Sequence, residues 1–231
     1  VIKLRQKDAP QKAIDLLSRI PQSSQIHQDA LLLKAQILFD KDRTEEAIDV
    51  AEQGRKEYPE TSAFWVLNSR ILLERDEPGR ARELLQQGLD RVSSPRDLWS
   101  QLAIVEHKLG NIDAALEHME RLLREEPENA TAMNFIGYTM VEEDRDLDRA
   151  GRLIRQALKL DPGNPYYLDS LAWYQFKAKA PEKAWETIQK AVSQVRDDPT
   201  IWEHYGDIAR GLNKRERARK GYTRALELDP D

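Results

Sequence analysis

An alanine recurs along this chain at positions 13, 47, 81, 115, 150, 184 and 218, at intervals of 34, 34, 34, 35, 34 and 34 residues. A second series of small residues keeps the same frame: Ala35, Ser69, Ala103, Gly137, Ala172 and Gly206, each 22 residues after the preceding alanine. The one extra residue falls between Gly137 and Ala150, within "MVEEDRDLDR". A fixed period of this length means that the chain repeats one small structural unit, which restricts the fold before any other property is considered.

Three further features share the frame. A large residue stands four before each small one: Leu31, Trp65, Trp99, Met133, Leu168 and Trp202. Gly or Ala stands seven after the series alanine at Gly54, Gly88, Ala157, Ala191 and Ala225, and prolines close the unit at Pro59, Pro127, Pro162 and Pro230. Residues four apart share one face of a helix, so the large and small residues of the first half form one packing surface. Small residues let two helices approach closely, and proline ends the second helix because it cannot continue the backbone ladder. The unit is therefore a pair of antiparallel helices. One such hairpin cannot bury its own apolar face, so neighbouring units must stack. No strand-like alternation competes with this pattern.

The residues then point to a family. A 34-residue helix–turn–helix period, with "WSQLA" at 99–103, "WEHYG" at 202–206 and "ALKLDPGNP" at 157–165, resembles the tetratricopeptide repeat. The resemblance covers essentially the whole chain. It implies an all-α fold, a right-handed superhelical solenoid of antiparallel helix pairs. The expected organisation is a single domain over 1–231: a partial repeat at 1–27, then six repeats at 28–61, 62–95, 96–129, 130–164, 165–198 and 199–231. A narrower resemblance lies at 134–192, where "NFIGYTM" is followed by "DSLAWYQF". It is to bacterial envelope repeat proteins, a group that includes an outer-membrane lipoprotein adaptor presenting substrates to a carboxyl-terminal processing protease. The chain departs from that group at Ala172, where Gly is usual, and at "KAKAPEKA", where a Leu-Gly turn is usual.

With the small residue numbered 8 in each repeat, the family places positions 2, 5, 9, 12 and 13 of the first helix on a concave groove. Positions 2, 5, 9 and 12 do lie on one helical stripe. The resemblance thus implies a peptide-binding groove at Phe39, Arg70, Ile104, Asn134, Tyr138, Tyr166, Asp169, Trp173, Phe176, Glu203 and Asp207. The earlier stripes carry Asp29, Leu32, Gln36, Phe39 and Asp40, then Ala63, Val66, Arg70 and Leu73, then Asp97, Ser100, Ile104, His107 and Lys108. Tyr174, about 100° further round its helix, should pack toward its neighbours. Asn offers a donor and an acceptor to an extended backbone, and aromatic rings give contact area at low entropic cost. The alternative for Trp173 and Tyr138 is packing between adjacent first helices. No repeat carries Lys at position 5 with Asn at position 9, which disfavours clamping of chaperone C-terminal carboxylates.

Composition narrows the remaining classes. The 36 basic and 41 acidic residues give a net charge of −5, spread without a long block of one sign. Cysteine is absent, which removes thiolate chemistry and Cys-based zinc sites. His27, His107, His118 and His204 lack metal spacing and are expected on the solvated surface or in the groove. There is no G-x-S-x-G elbow and no phosphate-cradling glycine loop. "NKRERARK" at 213–220 is interrupted by Glu216 and has no interleaved aromatic platform, so it is expected to be a solvated face or to meet an acidic partner rather than nucleic acid. No apolar run approaches the roughly 18 residues of a membrane helix.

The expectation is a non-enzymatic scaffold without cofactor or metal, binding a protein or peptide partner and no nucleic acid, with no direct insertion into a membrane. A bacterial periplasmic or outer-membrane-anchored location is favoured over the cytoplasm. The alternatives are a regulatory or targeting module of a larger enzyme and an architectural piece of an export or assembly complex. The apolar face of Ala218, Tyr222, Ala225 and Leu226, and an N-terminal half-repeat whose partner "VIKLRQ" is a stub, suggest a longer array or self-association through the terminal helices.

Overall fold

The computed structural model describes residues 10–230, so "VIKLRQ" and Asp231 lie outside the described residues. Among the described residues there are thirteen α-helices and no strand. The first helices of the six full repeats are α2 (His27–Phe39), α4 (Ser62–Glu74), α6 (Arg96–Lys108), α8 (Ala130–Glu142), α10 (Pro165–Lys177) and α12 (Pro199–Gly211). The second helices are α3 (Thr44–Glu57), α5 (Pro78–Leu89), α7 (Ile112–Glu125), α9 (Leu147–Leu160), α11 (Pro181–Gln194) and α13 (Arg215–Leu228). The short helix α1 (Pro10–Leu17) carries Ala13 and is the second helix of the partial repeat. The chain divides into two compact units, one ending at His118 and one beginning at Met119.

Helix boundaries follow from local chemistry. Pro78, Pro165, Pro181 and Pro199 open α5, α10, α11 and α12, where a missing N–H costs nothing and the fixed φ suits the first turn. Asn129, Asn164 and Asp198 cap α8, α10 and α12 by accepting from backbone N–H groups two or three residues on. Pro59, Pro127 and Pro162 each stand two residues beyond a second helix.

The turn inside each repeat is a recurring left-handed cap. Seven residues after the small residue, φ is positive every time: Asp42, Asp76, Gly110, Asp144, Lys179 and Asn213. The following N–H then reaches back five residues, as in Arg43 to Leu38, Asn111 to Glu106 and Lys214 to Ala209, at 3.0, 2.8 and 2.9 Å. This 6→1 bond satisfies a carbonyl that the helix end leaves open. Glycine fills the site once. The 35-residue repeat adds a second positive-φ residue, Asp146, whose carboxylate caps α9 by accepting from Arg149 N at 3.0 Å.

In the first unit the core runs through Ala13, Ala35, Ala47, Phe64, Ile71, Leu85, Leu98 and Leu102, all essentially inaccessible. In the second it runs through Ile136, Ala150, Ile154, Ala172, Ala184, Ile188 and Ile201. Each fully buried aliphatic or aromatic side chain contributes about 1.5–3 kcal/mol, and the small residues make that burial geometrically possible. A methyl group on Gly137 would come within 2.7 Å of Ile154 Cγ1 and 3.0 Å of the Ala150 carbonyl oxygen. At Gly221 it would meet backbone, at 2.7 Å from Gly206 N and 2.9 Å from the Trp202 carbonyl oxygen.

Candidate functional site

In the first unit the predicted groove positions converge. Leu32 and Gln36 from α2, Val66 and Arg70 from α4, and Asp97 and Ser100 from α6 line one cavity of about 350 Å³. Asp97 is held by the Ser62 hydroxyl, which donates at 2.5 Å, and Arg70 lies over the Phe39 ring at 5.6 Å. Phe39 itself is buried in the core, so it shapes the wall beneath Arg70 rather than meeting solvent. Ile104 is open, at 43% exposure.

In the second unit the same stripe forms a layered cluster. The Trp173 ring lies on the His204 imidazole at 4.3 Å and 13°, and Phe176 stacks beside it at 5.5 Å. Tyr138 tilts against His204 at 6.1 Å. The Trp173 indole donates to Glu142 of α8, and the Lys177 ammonium lies 5.6 Å over its ring. His204 donates from Nδ1 to the Asp169 carboxylate, at 2.9 and 3.0 Å to its two oxygens. Both residues of that pair are only 5% exposed.

The electrostatics follow from burial. For His204, desolvation is the largest influence and disfavours the imidazolium. The hydrogen bond and charge of Asp169, with Glu142 and Glu203 behind it, outweigh that and leave its pKa raised. Tyr138 is also raised, chiefly by burial and then by the charges of Glu142 and Asp169. Asp207 accepts from the Tyr222 hydroxyl at 2.7 Å and pairs with Arg210 at 3.0 Å; Tyr222 is pushed up to about 12, by desolvation first and by Asp207 second.

Three expectations need correction. His204 and His27 are buried rather than solvated. His27 presents Nδ1 to the Ile20 carbonyl at 3.1 Å and Nε2 toward Glu57 at 3.4 Å. Asp169 is buried rather than open on the groove, and its carboxylate is committed to His204. Trp173 is half-buried and packs between first helices, against Glu142 of α8 and His204 of α12. Tyr174 packs inward as expected, with its ring where a Gly151 side chain would stand and Arg155 at 5.3 Å. Asn134 keeps its Oδ1 buried without a hydrogen-bond partner, and Tyr166 stands 52% exposed at the start of α10. Glu203 is exposed on α12. His204 is the residue that sequence reasoning missed. Its position, one after the stripe, carries no signal by itself; a buried acid on the preceding first helix is what gives it a role.

Position 13 has a structural use as well. Lys108 reaches back to Asp76 at 3.0 Å, and Lys177 to Asp144 at 3.3 Å, so a groove-edge lysine clips the left-handed aspartate of the preceding turn. Among the described residues, no three His, Asp or Glu side chains are grouped to hold a metal ion, and no helix is long and apolar enough to cross a membrane.

These helix pairs, in one register throughout, define a helical-repeat protein. The tetratricopeptide-repeat profiles match residues 32–97, 67–130, 100–165 and 199–231, and the chain belongs to the tetratricopeptide-repeat family. It is 25% identical over 185 residues to the TPR repeat-containing protein PA4667 of Pseudomonas aeruginosa, a match covering 80% of this chain and 30% of that protein. Its fold is shared by the APC/C hetero-tetramer Cut9–Hcn1, with a TM-score of 0.80 and 15% identity over 99% of this chain and 45% of that one. It is shared too by Pseudomonas aeruginosa PilF, with a TM-score of 0.69 and 14% identity over 88% and 92%. The chain therefore spans under a third of its Pseudomonas relative. Repeat proteins of this fold serve generally as scaffolds for protein interaction.

Proposed function

We propose that the first-helix faces of this chain bind an extended segment of a protein partner, without catalysis and without a cofactor. The observation that carries the reading is the cavity of the first unit, where positions 2, 5 and 9 of successive first helices meet. The second unit supports it with an unpaired buried Asn134 Oδ1 suited to a backbone amide. Tyr166 and the accessible edge of Trp173 supply apolar contact area for side chains of the segment. The similarity to a Pseudomonas protein, and the resemblance at 134–192, favour an adaptor of the bacterial envelope, held at the periplasmic side of the outer membrane. Because the chain spans 30% of that relative, a binding module within a larger protein is the second reading. Self-association through the outer face of α13, where Leu226 is 64% exposed, is part of the same proposal.

The test places a photo-crosslinking residue at Val66 or Tyr166, on the first-helix faces, and at Gln53 or Gln189, on second helices. Crosslinked partner peptides are identified by mass spectrometry. Crosslinks concentrated at Val66 and Tyr166, and reduced by Tyr138→Ala with Trp173→Ala, are expected. Equal or greater yield at Gln53 and Gln189 would mean that the second-helix side carries the interaction.

A further inference from the structure

The basic stretch at the start of α13 is not absorbed by the first-helix face, and it borders a cavity of the second unit. That cavity, about 960 Å³, lies between the end of α11 and one stripe of α13, with Trp202 of α12 at its floor. Four cations line it, Arg196, Arg219, Lys220 and Arg224, against two carboxylates, Glu216 and Glu227. The excess is positive in a chain whose net charge is −5. Arg219 is paired with Glu216 at 3.1 Å and Arg224 with Glu227 at 2.9 Å. Arg196 and Lys220 have no carboxylate within ion-pair distance among the described residues; the Lys220 ammonium sits 5.6 Å over the Trp202 ring.

The floor is fixed. The Trp202 indole donates to the Arg196 carbonyl at 3.2 Å, and Arg224 donates to the same oxygen at 3.3 Å. The first unit builds the same device independently. The Trp65 indole donates to the Pro59 carbonyl at 2.8 Å, again six residues back, and Arg55 lies 4.9 Å over its ring. That cavity, about 670 Å³, carries Arg55, Lys56 and Arg91 against Asp90. Arg55 Nε is buried there without a hydrogen-bond partner. Two cavities that share an anchored tryptophan and surplus positive charge, each with one cation over the ring, Arg55 from the preceding second helix and Lys220 from the following one, are more than a solvated face needs.

We propose that the α11–α12–α13 cavity is a docking site for an acidic, Asp- or Glu-rich segment of a protein partner, separate from the first-helix face. Arg196 and Lys220 meet its carboxylates, and Trp202, anchored to the Arg196 carbonyl, holds the Lys220 ammonium over its ring. A nucleic-acid backbone fits less well. Glu216 and Glu227 interrupt the cationic stripe and would repel a continuous run of phosphates, and Trp202, nearly all buried, offers no face on which a base could stack.

The test is fluorescence anisotropy with a labelled twelve-residue peptide of alternating Glu and Gly, titrated with the whole chain. Binding is expected at about 50 mM salt and should weaken steeply by about 300 mM, as screening shortens the reach of exposed charges. Arg196→Glu with Lys220→Glu is expected to weaken it by about tenfold or more, about 1.4 kcal/mol by the affinity relation. Both side chains are exposed, and an unchanged circular-dichroism melt confirms that the variant folds. Arg196→Gln with Lys220→Gln should give an intermediate loss. Arg152→Glu with Lys159→Glu, two exposed cations on α9, makes the same change in net charge and is expected to leave affinity unchanged. Tyr138→Ala with Trp173→Ala should also leave it unchanged, which separates this site from the first-helix face. Equal weakening by the α9 variant, no binding to the wild type at low salt, or tighter binding of a twelve-nucleotide single strand would overturn the proposal.

Discussion

At the scale of residues, the buried His204–Asp169 pair carries the most consequence. It is enclosed by Trp173 and Tyr138, so its energy is little screened by water. The folded state raises the His204 pKa above its ordinary value of about 6.5. The pair's contribution is therefore fully present below about pH 6.5 and is lost as pH rises through the higher folded value. Urea unfolding of the second unit's helices should accordingly show this contribution at pH 5.5 and less of it at pH 9. Asp169→Asn should cost about 1–3 kcal/mol at pH 5.5, since it removes a charge-assisted bond and leaves His204 buried beside a poorer partner. It should also flatten the pH dependence. An Asp169→Asn protein with the wild-type slope between those pH values would show that His204 does not titrate with its charge supported by Asp169.

At the scale of elements, the left-handed turn decides how each hairpin closes. Its geometry is kept by the backbone bond five residues back, at 2.9 Å for Ala180 to Gln175, whatever residue stands at the cap. Lys179, at φ 61°, has neither glycine's freedom nor the local hydrogen bonding of Asn or Asp. Lys179→Gly should raise stability by about 0.5–1 kcal/mol, the relief of left-handed strain exceeding the added unfolded-state entropy. Asp146→Gly should not do the same, although φ there is 34°. It removes the carboxylate that caps α9, a loss of about 1 kcal/mol. Thermal melts of the two variants should move in opposite directions, or the second should stay level while the first rises. A fall with Lys179→Gly would mean that the lysine side chain itself holds the turn.

At the scale of the molecule, stability is built from neighbours. Within each unit a helix packs on the next helix, and a first helix also on the next first helix, so a local defect should remain local. Gly221→Ala tests this. Alanine gains about 1 kcal/mol of helix propensity, but its methyl group would press on the Gly206 backbone, which cannot rotate away. Overpacking of about 1–3 kcal/mol should win. Amide hydrogen exchange should accelerate in α12 and α13 and stay unchanged in α2–α5. Acceleration throughout the chain would mean that both units unfold as one.

The sequence by itself determined the helices, their pairing and their register. Those depend on contacts three, four or a dozen residues apart, and a 34-residue period states them six times over. It also marked the stripes that line the first unit's cavity, because positions 2, 5 and 9 share a helical face whatever surrounds them. Only the tertiary structure decided which stripe residues remain available. Asp169 looked like a groove carboxylate until His204, 35 residues on, was seen to hold it, and Phe39 looked like a groove ring until the core closed over it. Only the tertiary structure, likewise, gathered Arg196 and Lys220 around Trp202. Such contacts depend on how one repeat is offset against the next, and that offset is set by the summed packing of small residues such as Gly206 and Gly221, not by any period along the chain.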